Sequence, residues 1–276
     1  MEKDSAIVDT DSAISSLRQL CLDDFGRALL EMPMDTHPKL SSYLPRMASE
    51  QVQQNWTGSS GITLLRQSLN FARILQARSY EMTGTGLGGK RILDYGCGYG
   101  RILRLMSYFT DSSNLFGCDP WDESIRLCKE AGLNCNFEIT DYLPDSLPYE
   151  AHSIDFSYAF SVFTHTSERA SKTALNALHG ITKPSGHLAI TIRPVEYWAI
   201  DQAVSEEERE TLEQDHKNKG YAFKPHNRDK VDGDITYGDT SMTMEKLSEL
   251  CPKWDITAYD RSLEDPYQII VYLKPT

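Results

Sequence analysis

The sequence has no apolar stretch near the ~20 residues that cross a membrane, since its longest ones resemble HLAITI and YAFSVF. It has no basic excess: 28 Lys and Arg stand against 40 Asp and Glu, a net charge of −12. This balance disfavours a broad nucleic-acid-binding face. No CxxC pair occurs among six cysteines, and no apolar signal core follows the initial methionine. These absences predict reduced, mostly buried thiols, no metal site and a cytoplasmic protein without membrane span or nucleic-acid partner.

The arrangement of apolar residues predicts a two-part chain. Residues 1–87 read as a helical extension, with one helix predicted over residues 12–32 and another over residues 62–82. From residue 88 to 276, strand patterns alternate with helix patterns, which indicates a doubly wound parallel sheet. The rhythm breaks at about residues 195–240, where a charged helix and a polar, aromatic segment suggest an inserted lid between strands five and six.

The stretch DYGCGYG carries the strongest functional signal. It places glycines at Gly96, Gly98 and Gly100 behind a predicted strand, with Asp94 two residues before the first. A dinucleotide site needs GxGxxG, but Arg101 occupies the third glycine position. Asp119 ends the next strand, where a carboxylate accepts both ribose hydroxyls. The pattern favours an adenosine that carries a cationic amino-acid tail over a diphosphate.

With these motifs in order, residues 88–193 resemble the class I S-adenosylmethionine-dependent methyltransferases, and residues 240–275 do so more loosely. LDYGCGYGR resembles the family's first motif, LFGCDP its ribose-binding acid, ITDY its adenine loop, and SIDFSYAFSVFTH its fourth strand. LHGITKPSGHLAI is similar to its approach to strand five, with Ser185 in place of a glycine. The resemblance implies a Rossmann-like α/β fold, a seven-stranded sheet whose last strand alone is antiparallel, and S-adenosyl-L-methionine as cofactor.

The same resemblance implies a set of cofactor contacts. The methionine end, the ribose, the adenine and the sulfonium would meet Asp94, Gly96, Cys97, Gly98, Gly100, Asp119, Pro120, Trp121, Asp141, Tyr142 and Phe160. Asp145 competes with Asp141 for the adenine edge, and Trp121 also fits ordinary helix packing. Trp56 and Gly58 fit a segment that folds over the cofactor, and equally a helix-capping turn with a packed tryptophan.

Methyl transfer is an in-line displacement that the protein mainly aligns, but an oxygen acceptor also needs a base. His165, behind the fourth strand, is the predicted base because histidine titrates near neutrality. The alternative is a histidine that bonds the turn before the helix at residues 167–182. Predicted substrate contacts at the inserted segment are Arg193, Trp198, His226, Tyr237 and Asp239.

The sequence therefore predicts a methyltransferase for a small-molecule acceptor, preferably O-methylation of a sugar, glycan precursor or secondary metabolite. N-methylation of a small amine is the alternative within the class, and losing His165 would then matter little. A non-catalytic cofactor-binding protein and an NAD-linked oxidoreductase are alternatives outside it, the latter disfavoured by Arg101 and Asp94. The N-terminal helices fit either a lid or the surface of a homodimer.

Overall fold

The structure is a computed structural model that describes residues 7–276. The chain forms two compact units, one up to Ile139 and one from Thr140 to Thr276. The predicted division into residues 1–87 and 88–276 separates an extension from a core rather than two compact units. It stays a prediction, and residues 1–6 of that extension lie outside the described residues.

The first unit begins with five helices. They are α1 (Thr10–Leu17), α2 (Leu22–Glu31), α3 (Pro38–Tyr43), α4 (Glu50–Thr57) and α5 (Gly61–Thr83). Phe25 and Leu29 of α2 are fully buried and pack with apolar residues of α1 and α3. α2 also lies against the long helix α5. The helical extension thus has an apolar core of its own.

The single helix predicted over residues 12–32 is wrong, because the structure has two helices with a break at residues 18–21. Arg18 explains the break. Its guanidinium donates to the Ser107 carbonyl at 2.8 Å and the Thr110 carbonyl at 2.7 Å, and pairs with Asp111. Leu20 in the break is exposed, so the apolar spacing that suggested continuity does not mark a continuous buried face.

The sheet part of the first unit alternates strand and helix. Its elements are β1 (Ile92–Tyr95), α6 (Leu103–Met106), β2 (Leu115–Asp119), α7 (Asp122–Glu130) and β3 (Asn136–Ile139). β2 pairs in parallel with both β1 and β3. Every residue of β1 and the first four of β2 are buried, as expected for strands covered on both faces.

The second unit continues the alternation and then adds antiparallel strands. Its elements are β4 (Ile154–Ala159), α8 (Glu168–Ile181), β5 (Thr182–Ile192), α9 (Glu206–Lys219), β6 (Tyr221–Pro225), β7 (Gly238–Met242), α10 (Met244–Leu250), β8 (Trp254–Ser262) and β9 (Asp265–Pro275). β5 is parallel to β4, whereas β9 is antiparallel to both β5 and β8.

The seven larger strands form one sheet in the order β3-β2-β1-β4-β5-β9-β8, and β6 with β7 forms a separate two-stranded sheet. Only the last strand of the seven, β9, runs antiparallel to its neighbours. The predicted doubly wound fold is therefore confirmed.

The segment between β5 and β8 contains a 3₁₀ turn (Val195–Ala199), α9, the β6–β7 hairpin and α10. It has a small apolar core in which Trp198 packs with Leu212 and Ala222. An insertion at residues 195–240 is thus present as a folded piece. Its role as a lid stays a prediction.

All six cysteines are free thiols, and four of them are buried: Cys97, Cys118, Cys128 and Cys251. This confirms the predicted reduced and mostly buried state of the thiols. Within residues 7–276, none of the helices combines the length and apolar character needed to span a membrane.

Gly100 gives a direct test of the packing around the glycine turn. Its φ of +72° is left-handed, and a β-carbon there would collide with the Leu133 side chain and lie 3.2 Å from Cys128 Sγ. Gly132 has the same kind of φ, +78°, but nothing within 4 Å. We expect Gly132→Ala to cost about 1–2 kcal/mol for the backbone alone and Gly100→Ala about 1–3 kcal/mol more. Urea unfolding without cofactor measures both, and equal losses would contradict the collision.

Candidate active site

The glycine turn of the first unit connects β1 to the short helix α6. Gly96, Gly98 and Gly100 all have positive φ, at +75°, +52° and +72°. Glycine adopts these angles without the penalty of a β-carbon. The turn therefore has a backbone shape that its sequence alone accounts for.

Internal hydrogen bonds use the amides of this turn. The Gly96 and Cys97 amides donate to the Cys118 carbonyl at 2.8 and 3.0 Å, and the Gly100 amide donates to the Cys97 carbonyl. The Gly98 amide donates to Asp119 Oδ2 at 3.0 Å. A phosphate-binding turn instead points its amides at the ligand. The arrangement therefore disfavours a pyrophosphate and agrees with the interpretation of the GxGxG spacing.

Asp119 holds the turn and the start of α7 together. Its Oδ2 accepts from Gly98, and its Oδ1 accepts from the Trp121 amide at 2.9 Å. Burial raises the pKa of this carboxyl, against the lowering effect of those two amides. Each carboxylate oxygen has lone-pair capacity beyond one hydrogen bond. Asp119 is thus fixed in place and retains acceptor capacity for a diol.

Two tryptophans lie at this turn. Trp56 of α4 stacks on Trp121, with ring centroids 4.6 Å apart and planes 27° apart. A β-carbon at Gly98 would lie 3.8 Å from Trp56 Cε3, so the indole covers the glycine. The structure thus brings Trp56 and Trp121 together. Gly58 is the left-handed C-cap of α4, with φ of +72°, which accounts for its presence without a ligand.

The other predicted cofactor contacts are in different positions. Asp94 is buried at the end of β1, and Arg101 donates to Gln67 and Ser68 of α5 at 2.9 and 2.8 Å. Asp141 and Tyr142 are exposed on the loop after β3. Phe160 follows β4 and is partly buried. Their cofactor roles stay predictions.

A second polar site, which we call the Asp239 cluster, lies in the second unit. It consists of side chains that contact one carboxylate: Asp239, His165, Arg193, Tyr197 and His226. Asp239 Oδ1 lies 2.6 Å from Arg193 Nη1 and 3.3 Å from both His165 Nδ1 and the Tyr197 hydroxyl, and Oδ2 lies 2.7 Å from His226 Nε2. Burial alone would raise the pKa of Asp239, but the hydrogen bonds from His165, His226 and Arg193 outweigh it and hold the pKa well below its usual range. Asp239 is therefore a permanent carboxylate.

Hydrogen bonds between the turn after β4 and strand β7 position this cluster. The Gly238 amide donates to the His165 carbonyl at 2.8 Å, and the Thr240 amide donates to the Thr164 carbonyl at 2.9 Å. Arg193, just after β5, also donates to that Thr164 carbonyl at 3.0 Å. Its guanidinium lies 3.8 Å from the centroid of the Tyr197 ring, a cation–π contact. The histidine, arginine and aspartate come from three elements that the sequence separates widely.

Both ring nitrogens of His165 are engaged. Nδ1 lies 2.9 Å from the Gly238 carbonyl, and Nε2 lies 3.0 Å from Arg193 Nη2. Burial, the largest effect, and the Arg193 charge lower the pKa of His165. The ring also stacks on Tyr237 at 5.3 Å. This environment supports the turn-bonding alternative for His165 and does not favour the base role predicted for it.

The predicted substrate contacts divide into two groups. Arg193, His226, Tyr237 and Asp239 belong to or line the Asp239 cluster. Trp198 does not: it is 1% exposed, and its indole N–H donates to Ser241 Oγ at 2.7 Å. This burial removes Trp198 from the candidate substrate site, because the apolar core of the insertion needs a large side chain there. Tyr197, its sequence neighbour, contacts Asp239 instead and was missed; its place between Arg193 and Trp198 was the available signal.

Comparison with known proteins agrees with the fold and the first site. A family model described as a methyltransferase domain matches residues 92–186. This confirms the predicted methyltransferase resemblance over the motifs that carry it. Among curated proteins, no sequence matches this chain.

Solved structures with similar folds include several methyltransferases. A protein from Pyrococcus horikoshii aligns with a TM-score of 0.57 at 13% identity, covering 81% of this chain and 98% of its own. A S-adenosylmethionine-dependent methyltransferase from Clostridium acetobutylicum has a TM-score of 0.54 at 11% identity, covering 82% and 96%. Magnesium protoporphyrin IX methyltransferase from Synechocystis, with bound S-adenosylhomocysteine, has a TM-score of 0.53 at 11% identity, covering 82% and 94%. At these identities the likeness establishes the fold alone.

The buried state of His165 predicts a pH effect on stability. Its pKa is lowered from 6.5 in the folded protein, so the unfolded chain takes up the proton first as the pH falls below 6.5. The free energy of unfolding should therefore fall between about pH 8 and about pH 5.5 by more in the wild type than in His165→Asn. Urea unfolding at both pH values measures this difference. The exposed His37, changed to Asn, should behave as wild type, and a wild-type slope in His165→Asn would contradict the argument.

Proposed function

We propose that this chain, a class I S-adenosylmethionine-dependent methyltransferase, transfers the methyl group to a hydroxyl of a small molecule such as a sugar, a glycan precursor or a secondary metabolite. The observation that carries the choice of a hydroxyl is the Asp239 cluster, in which a permanent carboxylate orients two histidines. An oxygen acceptor must lose a proton as it attacks, and a positioned histidine supplies ~10²–10⁴-fold for that step.

The glycine turn of the first unit fits the cofactor. Asp94 would hold its cationic amino group and the Gly96–Gly100 backbone its methionine end, because the turn amides are already used and a carboxylate is buried beside them. Asp119 would accept the ribose hydroxyls. Trp121, stacked on Trp56, would pack on the adenine. The bound cofactor supplies an electrophilic methyl group, and these residues orient it.

A small-molecule acceptor agrees with the charge of the chain. A net charge of −12 opposes binding to a polyanionic backbone. The exposed part of the Asp239 cluster is polar and aromatic, with Tyr237 packed against both His165 and His226. Such a mixture suits a hydroxylated ring. N-methylation would not require this pair of histidines, since an amine is nucleophilic without a base. Homodimerisation and a cytoplasmic location stay predictions.

Calorimetric titration tests the cofactor site. We expect binding of S-adenosylmethionine and S-adenosylhomocysteine but not of NADH. Asp119→Asn should weaken binding about 10–100-fold, because one carboxylate oxygen that accepts from a hydroxyl is replaced by an NH₂ group. Asp122→Asn, an exposed carboxylate three residues further on, is the matched control and should bind as wild type. Binding of NADH alone would overturn the assignment of this site.

Transfer of a labelled methyl group tests the acceptor class. The purified protein would be incubated with labelled S-adenosylmethionine and, separately, with catechol, 4-nitrophenol, methyl glucoside, nucleotide sugars, small primary amines and total RNA. We expect label in one or more hydroxyl compounds and none in RNA. Label confined to the amines would favour N-methylation and overturn the hydroxyl proposal.

A further inference from the structure

The two histidines of the Asp239 cluster are not equivalent, and the difference assigns their roles in the proposed O-methylation, on which this inference rests. Hydrogen positions follow from the partners of each ring nitrogen, because an arginine only donates and an ionised carboxylate only accepts. Both kinds of partner are present in the cluster. The tautomer of each histidine can therefore be read from its contacts.

His165 has no lone pair to offer. Arg193 Nη2 at 3.0 Å can only donate, so Nε2 of His165 is the acceptor and Nδ1 carries the hydrogen. That hydrogen points to the Gly238 carbonyl at 2.9 Å, with Asp239 Oδ1 at 3.3 Å. To accept a proton, His165 would have to give up the arginine while remaining largely buried. It is a structural part of the cluster.

His226 has the opposite arrangement. Its Nε2 lies 2.7 Å from Asp239 Oδ2, which can only accept, so Nε2 carries the hydrogen. Nδ1 is then the nitrogen with the lone pair, and within residues 7–276 no hydrogen bond reaches it. The His226 side chain is 40% exposed, against 18% for His165. The basic nitrogen of the cluster is therefore accessible to an acceptor.

The β6–β7 hairpin fixes this pair. Lys224 of β6 lies opposite Asp239 of β7, and the His226 amide donates to the Tyr237 carbonyl at 3.1 Å. The Tyr237 ring lies edge-on to His226 at 5.4 Å. Asp239 is itself held by Arg193 at 2.6 Å. The carboxylate cannot turn away from His226 without losing its ion pair with Arg193.

We propose that His226, not His165, is the general base of the reaction and that Asp239 is its positioning residue. The acceptor hydroxyl donates its hydrogen to Nδ1 of His226. As the acceptor oxygen forms its bond to the methyl carbon, the sulfur–methyl bond breaks, its electron pair stays on sulfur, and the proton passes to Nδ1. Asp239 stabilises the imidazolium through Nε2, and the proton then leaves to water.

Methyl transfer by matched variants tests the assignment, with whichever of catechol, 4-nitrophenol, methyl glucoside or nucleotide sugar the wild type methylates. We expect His226→Ala to lower kcat ~10²–10⁴-fold, to leave affinity for S-adenosylmethionine unchanged, and to regain activity with added imidazole. His165→Asn should lower kcat by less than about tenfold. His37→Ala, an exposed histidine in the first unit, should behave as wild type. Nitrogen-15 spectra of the labelled histidines should show the Nε2–H tautomer for His226 and the Nδ1–H tautomer for His165.

The outcomes separate this assignment from the proposed function. If the wild type methylates hydroxyls and His226→Ala keeps its kcat, or loses a kcat that imidazole does not restore, the base role of His226 is overturned. The same holds if His165→Asn is the more damaged variant. If the wild type binds S-adenosylmethionine but methylates only amines or nothing, the proposed O-methylation fails and the base assignment fails with it.

Discussion

The hydrogen bonds that tie the glycine turn to the end of β2 are the constraint on which the first site depends. The Gly96 and Cys97 amides bond to the Cys118 carbonyl, and the Gly98 amide bonds to Asp119. One strand end thus determines both the shape of the turn and the position of the ribose-binding carboxylate. Because these amides are satisfied within the protein, the turn presents no anion-binding cradle, and the chemistry of the site follows from its carboxylates.

The second site depends in a similar way on one buried charge. Arg193 is nearly inaccessible and would be costly to bury without a partner, and Asp239 supplies that partner at 2.6 Å. Once this pair is formed, the remaining lone pairs of Asp239 are available to His165, Tyr197 and His226. The pair also makes the two histidines unequal, since Arg193 occupies one of them and leaves the other to Asp239 alone. A structural ion pair thereby determines where a basic nitrogen is exposed.

Much of the fold was readable from local pattern. The alternation of buried strands and amphipathic helices predicted the doubly wound sheet, because strands covered on both faces leave a recognisable apolar run. The spacing of Gly96, Gly98 and Gly100 predicted the turn, since only glycine adopts its angles freely. The helix break at residues 18–21 was not readable. It depends on Arg18 reaching carbonyls almost 90 positions away, and periodicity carries no information about such a partner.

The sequence by itself determined the class of the protein, because glycine angles, strand periodicity and the placement of Asp94 and Asp119 are local properties of the chain. Only the tertiary structure decided which residues of the inserted segment face a substrate. Trp198 and His226 looked equally suitable as isolated letters, but one packs into an apolar core and the other stands at the open side of a carboxylate. His165 was assigned by position along the chain. Its partner Arg193 lies 28 residues away, and the direction of a hydrogen bond exists only once both side chains are placed.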